Sequence, residues 1–389
     1  MRKLLTAPAK MNLTEQENLI YQNALKFITD ISLNLMAVKV ENHPQDFLGW
    51  CHELLSICQN GVNQDLLDEA QFKPFNKLQE VLRQAISALQ LRMLRITPWP
   101  VFAQFIQHNS ERQSLTERVA LLDYVRSLQA TSFADMIEED RLTVLGKHTA
   151  KHEPSLYPFD VEWFASTKHA RTFHQIMTNE AQVIDTLWEH IPSEGEVTFA
   201  HYQAFIEGFL NFYQQHLPEE KASLTIASRL LAMKRPDTFI ALSNSKFDAI
   251  SIGFGIPKLN NSSFQDYWFE LITTMRDMPW YNCEQPEDES ESALWQYRAI
   301  VVDCFFYALP DQAENSNYIK LRDKPKNMTV KMPRASKRTK ASAQELVDRV
   351  LSEGDHPEFL HKMRGTLVKS VQDGKTVEQA INLMKSIFS

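Results

Sequence analysis

The chain has 389 residues, of which 43% are hydrophobic and 23% charged, and its formal net charge at pH 7 is -8. This composition is typical of a globular protein and argues against an intrinsically disordered chain. Its ten glycines are well under half of the average usage of roughly 7%. Because tight β-turns and phosphate-binding loops both consume glycine, we predict a mainly α, multi-domain helical protein.

Signals for membranes, secretion and disulfides are weak. No stretch approaches about 18 uninterrupted apolar residues, so no membrane span is expected. The N-terminus carries two early positive charges but lacks the apolar core of a secretory signal. Four scattered cysteines (Cys51, Cys58, Cys283 and Cys304) do not suggest a disulfide framework. We therefore predict a cytoplasmic protein, with no metal and no other cofactor.

An N-terminal helical domain is predicted at 1–150. Thr14 and Glu17 have the spacing of a capping box and predict the start of a first helix. The clearest amphipathic run extends from Phe75 to Ile96, and 101–145 predicts two or three further helices. The polar, His- and Pro-containing stretch from Lys147 to Pro158 predicts the boundary of this domain.

An aromatic-rich helical domain is predicted at 151–310. The segment Phe239 to Leu242 predicts either a short strand or a buried extended connection, and Leu294 to Leu309 predicts a buried closing helix. Other helices are predicted at Thr172 to Ile191, Phe199 to Gln215, Ala222 to Met233 and Phe264 to Met278. One aromatic core is expected to contain Leu230, Leu231, Phe239, Ile240, Phe254, Trp268 and Trp280.

A basic linker is predicted at 311–340, followed by a small C-terminal three-helix unit at 341–389. Between Lys320 and Lys340 the sequence has nine cations and one acid, Asp323, so this segment carries +8 and the rest of the chain -16. The nine cations are Lys320, Arg322, Lys324, Lys326, Lys331, Arg334, Lys337, Arg338 and Lys340. In the C-terminal unit, Ser342 with Glu345 and Thr376 with Gln379 predict helix starts, and Pro357 predicts the first turn of the second helix.

The charge of the linker has two interpretations. It is either a solubilising tether or a segment that neutralises phosphates without reading sequence; an anionic membrane or an acidic protein is a further alternative. We predict that these nine cations bind nucleic acid, namely the backbone of duplex DNA without sequence specificity. Arg229, Lys234 and Arg235 are added as a basic rim, although cations near a helix end also complement the helix dipole.

Two short patterns resemble catalytic or metal sites. His148 and His152 have the i, i+4 spacing of helical metal ligands but lack the accompanying Glu, so a solvated polar turn explains them better. Pro236-Asp237, followed by Asn244-Ser245-Lys246, echoes the PD and (D/E)xK elements of restriction-type nucleases, with Asn244 in place of the second acid. A helix-ending turn around Pro236 explains the same residues.

Three stretches carry a resemblance to known proteins: ASRLLAMKRPDTFIALSNSKFDAISIGFGI, QDYWFELITTMRDMPWYN and ALWQYRAIVVDCFFYAL. Together they resemble a module, at about 220–310, of poorly characterised bacterial proteins encoded near restriction and anti-phage systems, and more faintly the helical segments of helix-hairpin-helix DNA-repair proteins. The resemblance implies association with DNA. Ser243 and Asn244 stand where an acid would be expected in the turn after Phe239.

These observations lead to one expected function and two alternatives. We expect a non-catalytic, DNA-associated subunit of a bacterial anti-phage defence or DNA-processing complex, which holds the DNA backbone and docks partner proteins. The first alternative is a nucleic-acid-acting enzyme, nuclease or glycosylase-like, that works through 220–310. The second is a purely protein-binding adaptor.

Overall fold

The computed structural model describes residues 12–31, 46–323, 343–353, 357–372 and 375–388. Within these ranges the secondary structure is helical and contains no strand, which confirms the prediction of a mainly α fold. The chain divides into two compact units, 1–324 and 325–389. In the ranges described, no helix combines the length and apolar character needed to cross a membrane.

Three helices form an N-terminal core: α1 (Glu15–Ile31), α2 (Phe47–Ser56) and α3 (Glu69–Met93). The predicted capping box is confirmed, because the amide of Thr14 donates to Glu17 Oε2 at 2.7 Å and the amide of Glu17 donates back to Thr14 Oγ1 at 3.4 Å. Helix α3 starts six residues before the predicted Phe75. A second capping box accounts for this early start, since the amide of Asp68 donates to Gln71 Oε1 at 2.9 Å.

The remaining helices of the first unit pack around a larger core. They are α4 (Trp99–His108), α5 (Leu115–Leu128), α6 (Glu138–Leu145), α7 (Arg171–Asn179), α8 (Gln182–Glu189), α9 (Phe199–His216), α10 (Leu224–Lys234), α11 (Phe247–Phe254), α12 (Phe264–Asp266), α13 (Thr273–Arg276), α14 (Glu289–Trp295) and α15 (Asn317–Arg322). The predicted helix at 172–191 is divided into α7 and α8, and a π-helical turn, Tyr267–Ile272, joins α12 to α13.

The hydrophobic cores do not divide where the sequence predicted a boundary. The smaller core extends from Ala24 to Ile86, and the larger from Ala88 to Phe306, so the division falls within α3. The predicted boundary near 150 lies inside the larger core, which contains Leu145 and Tyr157 on either side of it. The polar stretch at 147–158 does not separate two domains, because buried side chains of its own, including His152, anchor it to the larger core.

The segment Phe239 to Leu242 is a buried extended connection, the second of its two predicted forms. All four side chains are at most 1% exposed. Side chains take the place of a neighbouring strand: the hydroxyl of Tyr267 accepts from the amide of Ile240 at 3.2 Å and donates to its carbonyl at 2.8 Å, and Ser228 Oγ accepts from the amide of Leu242 at 3.1 Å. Buried backbone groups are thus paired without a sheet. The seven residues expected in one aromatic core all belong to the larger core.

The predicted closing helix at Leu294 to Leu309 is wrong as an α-helix. Helix α14 ends at Trp295, and Ile300–Phe305 forms a 3-10 helix. The amide of Ile300 donates to the carbonyl of Pro236 at 2.9 Å. In an α-helix this amide would instead donate to the carbonyl four residues earlier in the chain. The apolar run is buried as predicted, but this tertiary hydrogen bond interrupts the α-helical ladder.

Two glycines explain how α11 fits against α3. A Cβ on Gly253 would lie 2.5 Å from Leu91 Cβ and 3.0 Å from the carbonyl oxygen of Ala88, so only glycine permits this close helix crossing. Gly255 follows with φ +69° and ends α11 in the left-handed conformation that glycine favours. The Gly-Phe-Gly sequence is therefore a packing and capping device.

The C-terminal unit contains four helical segments in the described residues: α16 (Ala343–Glu353), α17 (Glu358–Lys362), α18 (Arg364–Gln372) and α19 (Val377–Phe388). The second helix of the predicted three is interrupted at Met363, between α17 and α18. The Thr376 and Gln379 capping box is confirmed, with reciprocal hydrogen bonds of 3.0 and 3.2 Å. Ser342 lies outside the described residues. A small core buries Val347, Leu351, Leu360, Leu367, Val368, Ala380, Ile381 and Met384.

We expect the first unit to lose stability in mild acid because of His174. This side chain is buried; its Nε2 donates to the carbonyl of Thr167 at 3.0 Å, and its Nδ1 has no hydrogen-bond partner within the described ranges. Burial lowers the pKa of His174 to about 4, whereas a histidine in an unfolded chain titrates near 6.5. The unfolded chain therefore binds more protons between these values, and stability should fall by about 3 kcal/mol as the pH drops from about 6.5 to about 4.

Urea titrations at several pH values measure this effect. His174→Gln should flatten the pH dependence, and His169→Gln, which changes an exposed histidine, should leave it intact. An equally steep profile in His174→Gln would contradict the assignment.

Candidate nucleic-acid interface

Two of the nine linker cations lie in the described residues. Lys320 and Arg322 are exposed in the last turn of α15, and Arg322 Nε contacts the carboxylate of Asp323 at 2.7 Å. The start of α15 is anchored to the larger core, because the amide of Asn317 donates to Asp160 Oδ2 at 2.6 Å. Lys320 therefore projects a charge from a fixed helix. The other seven cations, Lys324, Lys326, Lys331, Arg334, Lys337, Arg338 and Lys340, lie outside the described residues.

Arg229 does not form the predicted basic rim. Its side chain is 0% exposed, so a phosphate cannot reach it in this structure. Its guanidinium donates to four carbonyl oxygens: those of Thr143 (2.9 Å), Val144 (3.0 Å), Val161 (3.1 Å) and Trp163. The first two are carbonyls of the last turn of α6, where a cation is favourable to the helix dipole. Arg229 is thus a structural side chain.

Gly146 makes room for that guanidinium. It ends α6 with φ +72°, and a Cβ at this position would lie 2.7 Å from the carbonyl oxygen of Ala165 and 3.1 Å from Arg229 Cζ. Only glycine therefore satisfies both the backbone conformation and the space. Burial lowers the pKa of Arg229, but a guanidinium whose ordinary pKa exceeds about 12 stays charged.

Arg235 is also structural, whereas Lys234 retains a cationic group at the surface. The guanidinium of Arg235 contacts both carboxylate oxygens of Asp237 at 2.8 Å and donates to the carbonyls of Pro192 and Gly195, each at 2.8 Å. These contacts use four of its five N–H donors and fix the 192–195 loop. Lys234 is half-buried at the end of α10, with its ammonium 5.7 Å from the centre of the Trp188 ring.

A buried ion cluster of Arg118, Asp303 and Lys246 lies between two cavities. Arg118 Nη1 contacts Asp303 Oδ2 at 2.5 Å, Lys246 contacts Oδ1, and both Arg118 and Asp303 are 3% exposed. Each cavity has a volume of about 620 Å³, and all three residues line both. The cluster carries net charge +1 and joins α5, the start of α11 and the 3-10 helix Ile300–Phe305.

The chemistry of this ion cluster points to structure. Burial would raise the pKa of Asp303, but Lys246 and Arg118 together hold it below its ordinary value. Burial lowers the pKa of Lys246, while the carboxylate of Asp303 opposes the shift and favours the ammonium form, which is not a nucleophile. Lys246 also donates to the carbonyl of Phe164 at 2.9 Å. That carbonyl belongs to a residue with φ +76°, so the ion cluster helps to hold a strained backbone position.

Arg118 and Asp303 were not predicted from the sequence as site residues. A signal for Asp303 was present: it is the one acid in the apolar run Ile300 to Phe306. Because a charge is almost never fully buried without a partner, an acid in such a run implies a buried cation elsewhere in the fold. The identity of that cation depends on contacts 185 and 57 residues away along the chain, which spacing alone does not reveal.

The residues of the nuclease-like pattern do not come together as a metal site. Asp237 is held by Arg235 and lines one cavity, whereas Lys246 lines the two cavities beside the ion cluster. Asn244 Oδ1 accepts from the side-chain amide of Asn261 at 2.6 Å. In the described part of the chain, no group of three or more His, Cys, Asp or Glu side chains has the arrangement of a metal site.

The pair His148 and His152 is stacked, with ring centres 5.4 Å apart. The solvated turn expected there is wrong for His152, which is 2% exposed. Both of its ring nitrogens are engaged: Nδ1 accepts from the amide of Thr149 at 3.0 Å, and Nε2 donates to the carbonyl of Glu139 at 3.0 Å. Through its hydrogen bond to Glu139, this histidine connects the polar stretch at 147–158 to α6.

Comparison with known proteins adds no family to these observations. No protein-family model matches the chain, and no curated protein or solved structure shows significant similarity to it.

Proposed function

We propose that this chain is a non-catalytic, DNA-associated subunit of a bacterial anti-phage defence or DNA-processing complex. The observation that carries the proposal is the separation of charge: a segment of 21 residues carries +8, in a chain whose other residues sum to -16. Such a segment favours binding to a nucleic acid, because each phosphate that it neutralises releases condensed counterions. The acidic remainder repels DNA and confines binding to the segment.

The division of the chain supports this assignment. The two compact units meet at 324 and 325, inside the basic segment. The segment therefore contains the boundary between the two units, and we propose that each unit docks a protein partner. Lys320, exposed at the end of α15, begins the run of cations on a helix anchored to the larger core through Asn317.

The side chains of the best catalytic candidates support a non-catalytic role. Asp237 is engaged by Arg235 through both oxygens, and Asp303 by Lys246 and Arg118. A metal-dependent nuclease needs carboxylates free to bind a divalent cation and activate water. We infer that any chemistry on the DNA is supplied by a partner subunit.

Neutralising the basic segment should abolish most DNA binding. We expect a full-length variant with Gln at all seven Lys and Arg positions from Lys324 to Lys340 to bind duplex DNA on the order of 100-fold more weakly at low salt, because several phosphate contacts are lost. The dependence of log K on log[salt] should become correspondingly shallower. Fluorescence anisotropy with a labelled duplex at several salt concentrations measures both.

The matched control keeps the composition of 324–340 and shuffles its order. Contacts with DNA phosphates depend on the number of cations and not on their order along the segment, so the shuffled variant should retain wild-type affinity. Equal affinity of the wild type and the Gln variant at low salt would sink the proposal.

A further inference from the structure

A separate cavity of about 310 Å³ lies at the end of α10. Its wall comes from α5, from the turn after α10, from the loop at 193–195 and from the segment 295–298. Four cations, Arg126, Lys234, Arg235 and Arg298, and two carboxylates, Glu194 and Asp237, line it. We call it the basic cavity. Its wall carries net charge +2, although the chain as a whole is acidic.

Two of these cations are already compensated and two are not. Arg235 is paired with Asp237, and Arg126 contacts Asp123, just outside the wall, at 3.1 Å. Lys234 and Arg298 form no ion pair with any described residue. Glu194 is exposed, so solvent screens its charge. The basic cavity therefore contains two cationic groups that gain from an incoming anion.

Arg298 has a buried donor without an acceptor. Its guanidinium stacks on Trp295 at 3.9 Å and on Tyr281 at 4.8 Å, and Nη1 donates to the carbonyl of Trp295 at 3.1 Å. Its Nε is buried and has no hydrogen-bond partner among the described residues. An unpaired buried N–H costs stability, and the side chain that carries it lines the basic cavity. The stacking holds the guanidinium in a fixed orientation, so little further ordering is needed on binding.

Lys234 gains similarly from an anion. Burial, and then the neighbouring Arg235, lower the pKa of Lys234, while the carboxylate of Asp185 partly opposes both. An oxyanion beside the ammonium would offset both effects. The carbonyls at the end of α10 do not oppose this, because the side chain of Gln129 donates to those of Met233 and Lys234 at 3.3 and 3.1 Å.

We propose that the basic cavity binds a phosphate monoester, either on a free nucleotide or at the 5′ end of a nucleic-acid strand. Two uncompensated cations match the charge of about -1.5 to -2 on a monoester, whereas a diester or a carboxylate carries only one charge. The volume lies at the lower end of ligand sites, which are about 300 to 1,000 Å³. It admits one nucleotide and excludes a duplex. The strand-end source deepens the proposed function, and the free-nucleotide source is independent of it.

Calorimetric titration of the full-length chain tests this proposal. The Gln-substituted 324–340 variant is the background for every titration, so that the linker does not contribute. The probes are inorganic phosphate, adenosine 5′-monophosphate, and a single-stranded hexamer with or without a 5′ phosphate. We expect the monophosphate to bind, and the phosphorylated hexamer to bind about tenfold more tightly than the unphosphorylated one.

Two variants and a matched control locate the site. Lys234→Gln should weaken binding by about tenfold or more. Arg298→Lys should also weaken it, because an ammonium lacks the planar fork of donors. Lys258→Gln removes the same charge from an exposed lysine paired with Asp248 and should bind as the background does. Melting temperatures verify that all three variants fold.

The outcomes separate this proposal from the proposed function. Binding of the monophosphate alone assigns the basic cavity to a metabolite, and binding of the phosphorylated strand assigns it to strand ends; each supports the proposal. Absence of binding by every phosphate compound at millimolar concentration overturns it, as does equal affinity of Lys234→Gln and Lys258→Gln. Neither result bears on duplex binding by the linker, which is measured with wild-type protein.

Discussion

Replacing Arg229 by Met should lower the free energy of unfolding of the first compact unit by about 5 kcal/mol. Methionine fills a similar length but donates no hydrogen bond, so four buried carbonyls lose a donor at once, and of these the carbonyl of Thr143 keeps the amide of Gly146. Each unsatisfied buried group costs about 1 to 3 kcal/mol, and partial relaxation limits the total. The last turn of α6 would also lose its compensating charge. A loss this large is exceptional for a single substitution.

Urea unfolding followed by tryptophan fluorescence measures the effect. Arg229→Lys keeps the charge but reaches fewer carbonyls, so its loss should be intermediate. The matched control is Arg276→Met, since Arg276 also stacks on a ring, that of Trp268 at 4.8 Å, but donates to one carbonyl, that of Val197. We expect that control to cost about 1 kcal/mol. Similar losses for the Arg229 and Arg276 variants would show that the four carbonyls find other partners.

Asp303→Asn should cost about 3 to 5 kcal/mol. The substitution preserves shape but removes the negative charge between Arg118 and Lys246, and it leaves without compensation two cations whose side chains are only 3% and 17% exposed. Removing one member of a buried ion cluster is strongly destabilising, because the remaining charges stay desolvated. Replacing the whole cluster by apolar side chains usually changes stability much less.

A double variant separates charge from packing. Asp303→Asn with Lys246→Met removes one of the two uncompensated cations and should recover part of the lost stability. Asp248→Asn is the control, because Asp248 forms an exposed ion pair with Lys258 at 2.9 Å and should change stability by less than about 1 kcal/mol. If Asp303→Asn costs no more than this control, the ion cluster is not the electrostatic unit described above.

The sequence predicted those features that depend on neighbouring residues. The capping boxes at Thr14 and Thr376 were found because their partners lie three residues away. The α9 and α10 helices were placed within two residues by apolar periodicity and polar turns. The closing helix was wrong because the amide of Ile300 has a distant acceptor, Pro236, that no local pattern records.

The candidate site was less predictable, for a related reason. A cation beside a helix end gives the same sequence pattern whether it faces solvent, as a rim would, or enters the core, as Arg229 does. The difference lies in four carbonyls that come from 66 to 86 residues away along the chain. The basic cavity was only partly predictable for the same reason. Lys234 was recognised as a candidate, but Arg298 lines the cavity from a segment of the chain that showed no cluster of cations.

Helix α3 is one continuous element that belongs to both cores of the first compact unit. It has 25 residues and is therefore about 37 Å long, and it contributes Ile86 to the smaller core and Ala88 to the larger one. Bending it between the two cores would break several main-chain hydrogen bonds together. Because α3 also crosses α11 at Gly253, one continuous helix connects the smaller core to that crossing.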